Sequence, residues 1–337
     1  MERIPVFVGL DYHQASVQVC VMDSRGHVLA NRRCSNDVGE MVGAAEQLGR
    51  VEEVAIESCS GAAALADVLV TQVGWSVSLA HPGYVRRMKQ NPDKTDFSDA
   101  RMLADLVRVG YIPRVWLAPQ EVRELRSLVR HRQQLVNERR NAKLRITALL
   151  REHRVSSGSG RRWTRAWMRW LGGLDRLGPH ARWIVDRHQA RLATLNKEIR
   201  EVEHRLDETT ANDPVVQKLR TYSGIGLVTA CTLRAEVGRF DRFRSGKQVS
   251  RFCGLTPRNA SSGQHQADAG LIRASNRQLR ATLVEAAQRL MRYDARWRSL
   301  ADRMRKAGKP HNVIVAAVGN RWIRWLFHEM RTVPAAA

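Results

Sequence analysis

Asp96 and Asp99 lie three residues apart in the stretch Asn91-Pro92-Asp93-Lys94-Thr95-Asp96-Phe97-Ser98-Asp99-Ala100-Arg101, behind a threonine suited to cap a helix. Residues at that spacing share a helical face, so the two carboxylates stand side by side and repel unless a positive charge lies between them. A divalent cation meets that demand. Acids in a first helical turn also complement the helix dipole, which is commonplace and explains either aspartate alone. Two further acids close apolar runs: Asp11 ends PVFVGLD and Glu57 ends VEEVAIE. Four carboxylates in these positions are more than capping or strand termination requires. Hard oxygen ligands of this kind hold Mg²⁺ or Mn²⁺, and two such ions about 4 Å apart clamp the attacking and leaving oxygens of a phosphodiester. His13, two residues after Asp11, is a candidate further ligand, although a lone histidine after a strand is more often packed or solvated.

These acids need elements that bring them together. Residues 5–11 and 16–23, then a turn between Asp23 and Gly26 and the run HVLANRRCS, predict three antiparallel strands joined by short hairpins. A helix is expected from about Val38 to Leu48, a strand ending at Glu57, a helix from Gly61 to Val70 and a strand near Trp75 to Leu79. A three-strand meander followed by alternating helix and strand is the order of a ribonuclease-H-like α/β domain, here residues 1–112. In that arrangement the first strand is central and the strand after the first helix lies beside it. Asp11 and Glu57 then emerge at adjacent strand ends, with the Asp96/Asp99 helix packed nearby.

Beyond Pro113 the texture changes. Leu128, Leu135, Ala142 and Leu149 recur every seven residues in an arginine-rich run, and Leu192, Leu195, Ile199, Val202 and Leu206 form a second stripe. Both read as long helices with coiled-coil seams, an antiparallel hairpin over residues 113–212 and a candidate dimerisation arm. Between them RRWTRAWMRW interleaves aromatic and basic residues, as surfaces that stack bases and grip phosphates do. Trp163, Trp167 and Trp170 also fall on one helical face, and packing is the favoured reading. Residues 213–337 read as mostly helical, with Gly224-Ile225-Gly226 resembling the turn of a helix-hairpin-helix module and a glycine- and serine-bearing loop region before the helix LIRASNRQLRATLVEAAQRLMR. No P-loop is present, so ATP is not implied.

A chain of 337 residues with 43% hydrophobic content buries a substantial core, and its formal charge of +23 points to a polyanion partner. The charge is uneven: residues 1–110 hold 11 Lys/Arg against 14 Asp/Glu, leaving 45 against 19 for the remainder. Acids for metal chemistry are concentrated in the first third and phosphate binders in the rest. No run of about 18 apolar residues exists and the N-terminus lacks signal-peptide regions, so a cytoplasmic protein without a membrane partner is expected. Five cysteines without a C-x-x-C pair suggest neither a disulfide framework nor a zinc site, and buried thiols are expected.

The series Gly9-Leu10-Asp11, Ile56-Glu57-Ser58, Lys94-Thr95-Asp96 with Ser98-Asp99-Ala100-Arg101, Ser223-Gly224-Ile225-Gly226 and Cys253-Gly254-Leu255-Thr256-Pro257-Arg258 resembles the DEDD-type transposases of the insertion-sequence one-ten family. The resemblance spans nearly the whole chain. It implies a RuvC-like N-terminal domain, a coiled-coil linker and a C-terminal transposase domain with a nucleophilic serine. The acids carry over as Asp11, Glu57, Asp96 and Asp99, and the serine as Ser262, four residues after Arg258 and just before Gly263, with Ser261 adjoining it. It further implies donor and target DNA, a structured guide RNA, Mg²⁺ or Mn²⁺, and a homo-oligomer, dimeric or tetrameric when active, in which acids of one protomer meet the serine of another. ESCSGA after Glu57 and Ser275 in RASNRQLR depart from the commoner pattern.

Two other classes remain open on the residues. A RuvC-like resolvase or nuclease uses the same acids to activate water and has no need of Ser262. A non-catalytic nucleic-acid scaffold needs the basic surface but not four convergent acids.

Overall fold

The computed structural model describes residues 3–88, 95–156, 160–259, 268–272 and 275–333. The chain divides into two compact units, Met1–Ala118 and Pro119–Ala337.

In the first unit, strands β1 (Pro5–Tyr12), β2 (Ser16–Asp23) and β3 (Val28–Ser35) form the expected antiparallel meander. The β2–β3 turn closes because the Asp23 carboxylate accepts from the backbone N–H groups of Arg25 at 2.9 Å and His27 at 2.8 Å, while Gly26 takes φ 93°. Helix α1 (Val38–Glu46), capped by Asp37, leads into β4 (Arg50–Glu57), which runs parallel to β1. Helix α2 (Ala62–Val68) continues through one π-helical turn, Leu69–Val73, to β5 (Val77–Ala80), parallel to β4. Helices α3 (Pro82–Met88) and α4 (Asp96–Arg108) precede the short antiparallel strand β6 (Arg114–Val115). The sheet order β3-β2-β1-β4-β5-β6 makes β1 and β4 its two middle strands.

Alternation along these strands assigns each side chain to one of two faces. Val6, Val8, Leu10, Val54 and Ile56 are fully buried against α1 and α2, through Met41, Ala44 and Leu65. Each such side chain stabilises the fold by roughly 1.5–3 kcal/mol. Phe7, Gly9 and Asp11, with Ala55 and Glu57, belong to the opposite face, where Leu103 and Val107 of α4 pack with Phe7 and Ala55.

In the second unit, α5 (Gln120–Glu152), α6 (Arg165–Gly172) and α7 (Pro179–Thr209) make a long hairpin with a short helix between its arms. Its arms are antiparallel: Arg132 pairs with Glu203 near one end, Arg191 with Glu138 further along, and Ile146 shares a cluster with Val185 and Leu192. Leu135, Leu195 and Ile199 fill the middle. Leu128 and Leu149 of the expected seam are only partly buried, and their neighbours Val129 and Leu150 take the core positions.

The base of the hairpin enters a second core. Leu125, Val129 and Leu206 join side chains of α8 (Pro214–Arg220), α9 (Leu227–Val237), α10 (Gly246–Phe252), α11 (Arg277–Tyr293), α12 (Ala295–Lys306) and α13 (His311–Met330). Two findings correct the sequence reading. The region read as loop contains an antiparallel pair, β7 (Pro257–Asn259) and β8 (Asp268–Leu271). Trp163 lies before α6 rather than on it, with φ 68°, although its ring still packs against Trp167, 4.6 Å between centroids with the planes tilted by 56°.

Candidate functional site

The β1–β4 ladder ends by pairing Leu10 with Ile56. Asp11 and Glu57 each stand one residue further, at the same end of neighbouring parallel strands and on the face that α4 covers. Helix α4 comes this close because Gly9 lacks a side chain: a Cβ there would strike the Ala100 carbonyl oxygen and stand 2.5 Å from the Ala104 nitrogen. Ala100 and Ala104, both fully buried, keep the helix surface equally low beside Cys20 and Met22.

The start of α4 is fixed in two ways. Thr95 and Ser98 form a capping box, in which Thr95 Oγ1 accepts from the Ser98 N–H at 3.2 Å and Ser98 Oγ from the Thr95 N–H at 3.4 Å. Asn31 Nδ2 donates to the Phe97 carbonyl at 3.0 Å, and Asn31 Oδ1 in turn accepts from Gln18 Nε2 at 2.7 Å. Gln18 is the cross-strand partner of Asp11. The first turn of α4 is therefore tied through two side chains to the strand position that faces Asp11. Neither amide was legible as part of the site, because each is a lone polar residue within a strand and its partner lies far off in sequence.

Asp11, His13 and Asp96 each offer a ligand atom, and these atoms lie within 4.8 Å of one another. His13 Nε2 is 3.4 Å from Asp11 Oδ2 and 3.4 Å from Asp96 Oδ1. Those separations exceed the usual hydrogen-bond range of about 2.7–3.2 Å, so the three groups converge without closing on one another. Asp99, 4% exposed, stands one turn deeper. The Asp11 carboxyl is held above the ordinary carboxylate range, chiefly by burial, opposed by His13 and reinforced by the charges of Asp99 and Asp96. Glu57 lies outside the group of three. Its charge and that of Asp11 both reach Cys59, whose thiol is pushed up first by loss of water and then by these two acids.

Hard carboxylate oxygens with one imidazole suit a divalent cation such as Mg²⁺ or Mn²⁺, and mutual repulsion around Asp11 is what such an ion relieves. The positive end of the α4 dipole offsets part of that repulsion at Asp96 and Asp99. On donor chemistry the residues fit.

A family model for transposases of the DEDD IS110 type matches residues 8–155, and one described as the transposase IS116/IS110/IS902 family matches residues 216–302. The chain is 27% identical to the transposase for insertion sequence element IS1328 of Yersinia enterocolitica, over 97% of each chain. It is 25% identical to the transposase for IS1111A of Coxiella burnetii, over 85% of this chain and 78% of that one. The chain belongs to the IS110 family of transposases. A further relative of this transposase, the putative transposase y4qE of Sinorhizobium fredii, is 30% identical over 65% of the chain, which spans only 54% of that protein's length.

The first match covers β1 to α5 of the IS110 transposase and so contains every acid of the site; the second begins in α8 and ends in α12. Ser261, Ser262 and Gly263, and Lys94 of the motif before Asp96, lie outside the described residues. One expectation is overturned: Cys20, Cys34, Cys231 and Cys253 are buried, but Cys59 is exposed. Among the described residues of this transposase no helix is long and apolar enough to cross a membrane.

Proposed function

We propose that this IS110-family chain cuts and rejoins DNA by transesterification of phosphodiesters at the end of β1. The observation that carries this reading is the convergence of Asp11, His13 and Asp96 within 4.8 Å, with Asp99 and Glu57 beside them, on a sheet whose order fits a ribonuclease-H-like, RuvC-like domain. Asp11, Glu57, Asp96 and Asp99 are the proposed Mg²⁺ or Mn²⁺ ligands. When bound, the cation neutralises charge that develops on the reacting phosphate. Asp11 and Asp96 would hold the cation together with Asp99 and Glu57, and His13, between Asp11 and Asp96, would orient those two carboxylates or join them as a ligand.

The proposed nucleophile is Ser262. Its oxygen attacks phosphorus, one phosphoester replaces another, and the departing strand carries away a hydroxyl, so the bond energy is retained in a protein–DNA intermediate and rejoining needs no nucleoside triphosphate. In this reading the chain works as residues 1–112 for catalysis, 113–212 as a coiled-coil arm and 213–337 as the serine-bearing part. A structured guide RNA selects donor and target DNA, and the active form is a homo-oligomer in the cytoplasm, at the nucleoid.

Ser262→Ala and Ser261→Ala, each prepared with whatever RNA copurifies, test the scheme. Ser262→Ala should bind metal and RNA as wild type does but lose recombination and the covalent DNA adduct, whereas Ser261→Ala should keep both. Cleavage that survives Ser262→Ala, with no adduct trapped from wild type, would make water the nucleophile and the chain a resolvase-like nuclease.

A further inference from the structure

The aromatic and basic segment before α6 is not used by the chemistry above, yet it walls a cavity of about 500 Å³ against α5. On α5, Arg140, Lys143, Leu144, Thr147 and Arg151 recur at helical spacing and face the cavity, with Arg162 and Trp163 on its other side. Among the described residues no acidic side chain lines it. Arg140, Lys143 and Arg151 make no ion pair among the described residues, although elsewhere along the same hairpin Arg132 and Arg191 are paired with Glu203 and Glu138. Cations left unneutralised around one cavity call for an anion.

The aromatic wall is built at a cost. Trp163 has φ 68°, a left-handed backbone that a bulky residue rarely adopts, and glycine would occupy that position without strain. Its ring rests on Trp167, which is 3% exposed and part of the hairpin's core, so the indole is held by a fixed support. Lys143 Nζ stands 5.2 Å from the Trp163 ring centroid. Burial, with Arg139 nearby, lowers the pKa of this lysine, so its ammonium is partly stripped of water where it sits.

We infer that this cavity binds one unpaired nucleotide of a single strand, its base stacked on Trp163 and its flanking phosphates held by Arg140, Arg151 and Arg162. Lys143 marks the place of the base. A part-buried ammonium over an indole is worth a factor of up to about 30 and a base stacked on an aromatic ring about 5–150-fold, so a base that stacks well displaces the lysine, which then turns to a phosphate. Bases inside a duplex are covered on both faces by their neighbours and offer no face to Trp163 without unstacking. The inference rests on the nucleic-acid partner of the proposed function but not on its chemistry.

The test uses the full chain with labelled oligouridylate and oligothymidylate of about ten nucleotides, and a duplex of equal length. Both single strands should bind more tightly than the duplex, and 5-iodouridine in the strand should photocrosslink to the peptide holding Trp163. Trp163→Ala should weaken single-strand binding by about 5–150-fold and Trp163→Phe by only a few-fold. Arg140→Ala and Arg151→Ala, on an exposed helix face, remain informative if Trp163→Ala fails to fold; each should reduce the slope of log affinity against log salt by about 0.7. A preference for one strand type would assign the partner as RNA or DNA within the same site. Absence of single-strand binding, a crosslink elsewhere, or arginine variants with unchanged slope would overturn the inference. Asp11→Asn, assayed in parallel for cleavage, keeps the two proposals apart: intact single-strand binding with lost cleavage bears on the metal site alone, and the reverse on the pocket alone.

Discussion

Asp11 carries the clearest electrostatic signature in the site. Its carboxyl titrates above the ordinary aspartate range because the folded chain buries it and sets Asp99 and Asp96 nearby. An acid whose pKa is raised on folding binds its proton more tightly in the folded state, so metal-free protein loses stability as pH rises from the unfolded value through the folded one. Asp11→Asn should remove that part of the pH dependence and, at pH 7 in chelator, raise the melting midpoint by roughly 3–6 °C if about 1 kcal/mol of repulsion is relieved. It should also abolish Mn²⁺ binding read by electron paramagnetic resonance. Calorimetry that finds the variant no more stable than wild type would contradict this account of the site. The four acids were legible in the sequence because each ends a strand or begins a helix. His13 was legible only as a residue near one of them, since its second carboxylate neighbour, Asp96, is 83 residues away and meets it only in the folded sheet.

At the scale of elements, the position of α4 depends on one absent side chain. Gly9→Ala adds a methyl group against the Ala100 carbonyl and should cost roughly 1–3 kcal/mol, while shifting α4 enough to lose metal binding although all four acids remain. Urea melts and metal titration of this variant check both halves; unchanged metal affinity would mean that α4 does not position the site. In the second unit, Glu236 anchors α9 to the hairpin and to α11. Its carboxylate accepts from Arg130 at 2.9 and 3.1 Å and from Asn276 Nδ2 at 2.7 Å, with Arg126 3.7 Å away. Burial already lowers the Arg126 pKa. Glu236→Ala should therefore cost about 1–3 kcal/mol by leaving the Asn276 amide and the part-buried Arg126 without their acceptor, a loss that chemical denaturation will register, whereas an exposed pair such as Arg239 with Asp241 should cost under about 1 kcal/mol. The meander, the Thr95 cap and the two long helices could be read from period and capping residues. The β7–β8 pair could not, because its strands are three and four residues long and too short to show a period. The backbone of Trp163 was equally hidden, since an i, i+4, i+7 spacing looks helical whether or not its first member is inside the helix.

For the whole molecule the division of charge follows the division of the fold. Residues 1–118 hold 12 Lys/Arg against 14 Asp/Glu and residues 119–337 hold 44 against 19. Affinity for nucleic acid should therefore reside in the second unit and fall steeply with salt, losing on the order of 10³-fold between about 50 and 200 mM if six phosphates are contacted. Binding by fragments 1–118 and 119–337 across a salt series measures this, and equal affinities would show that the charge asymmetry has no part in binding. The asymmetry was plain from composition, but the seam at Ala118 was not. The expected boundary at residue 112 precedes β6, the edge strand that still pairs with β5 and so belongs to the first unit.

Cys59 turns this arrangement into an instrument. It is the one exposed cysteine of five, its sulfur lies 3.9 Å from the Tyr12 carbonyl, and the charges that raise its pKa are those of Glu57 and Asp11. A cation that neutralises those acids would release more thiolate, so maleimide labelling should quicken on adding Mn²⁺ and should lose that response in Asp11→Asn. Stopped-flow labelling would then count occupied sites in the untouched chain, during turnover, without removing another cysteine.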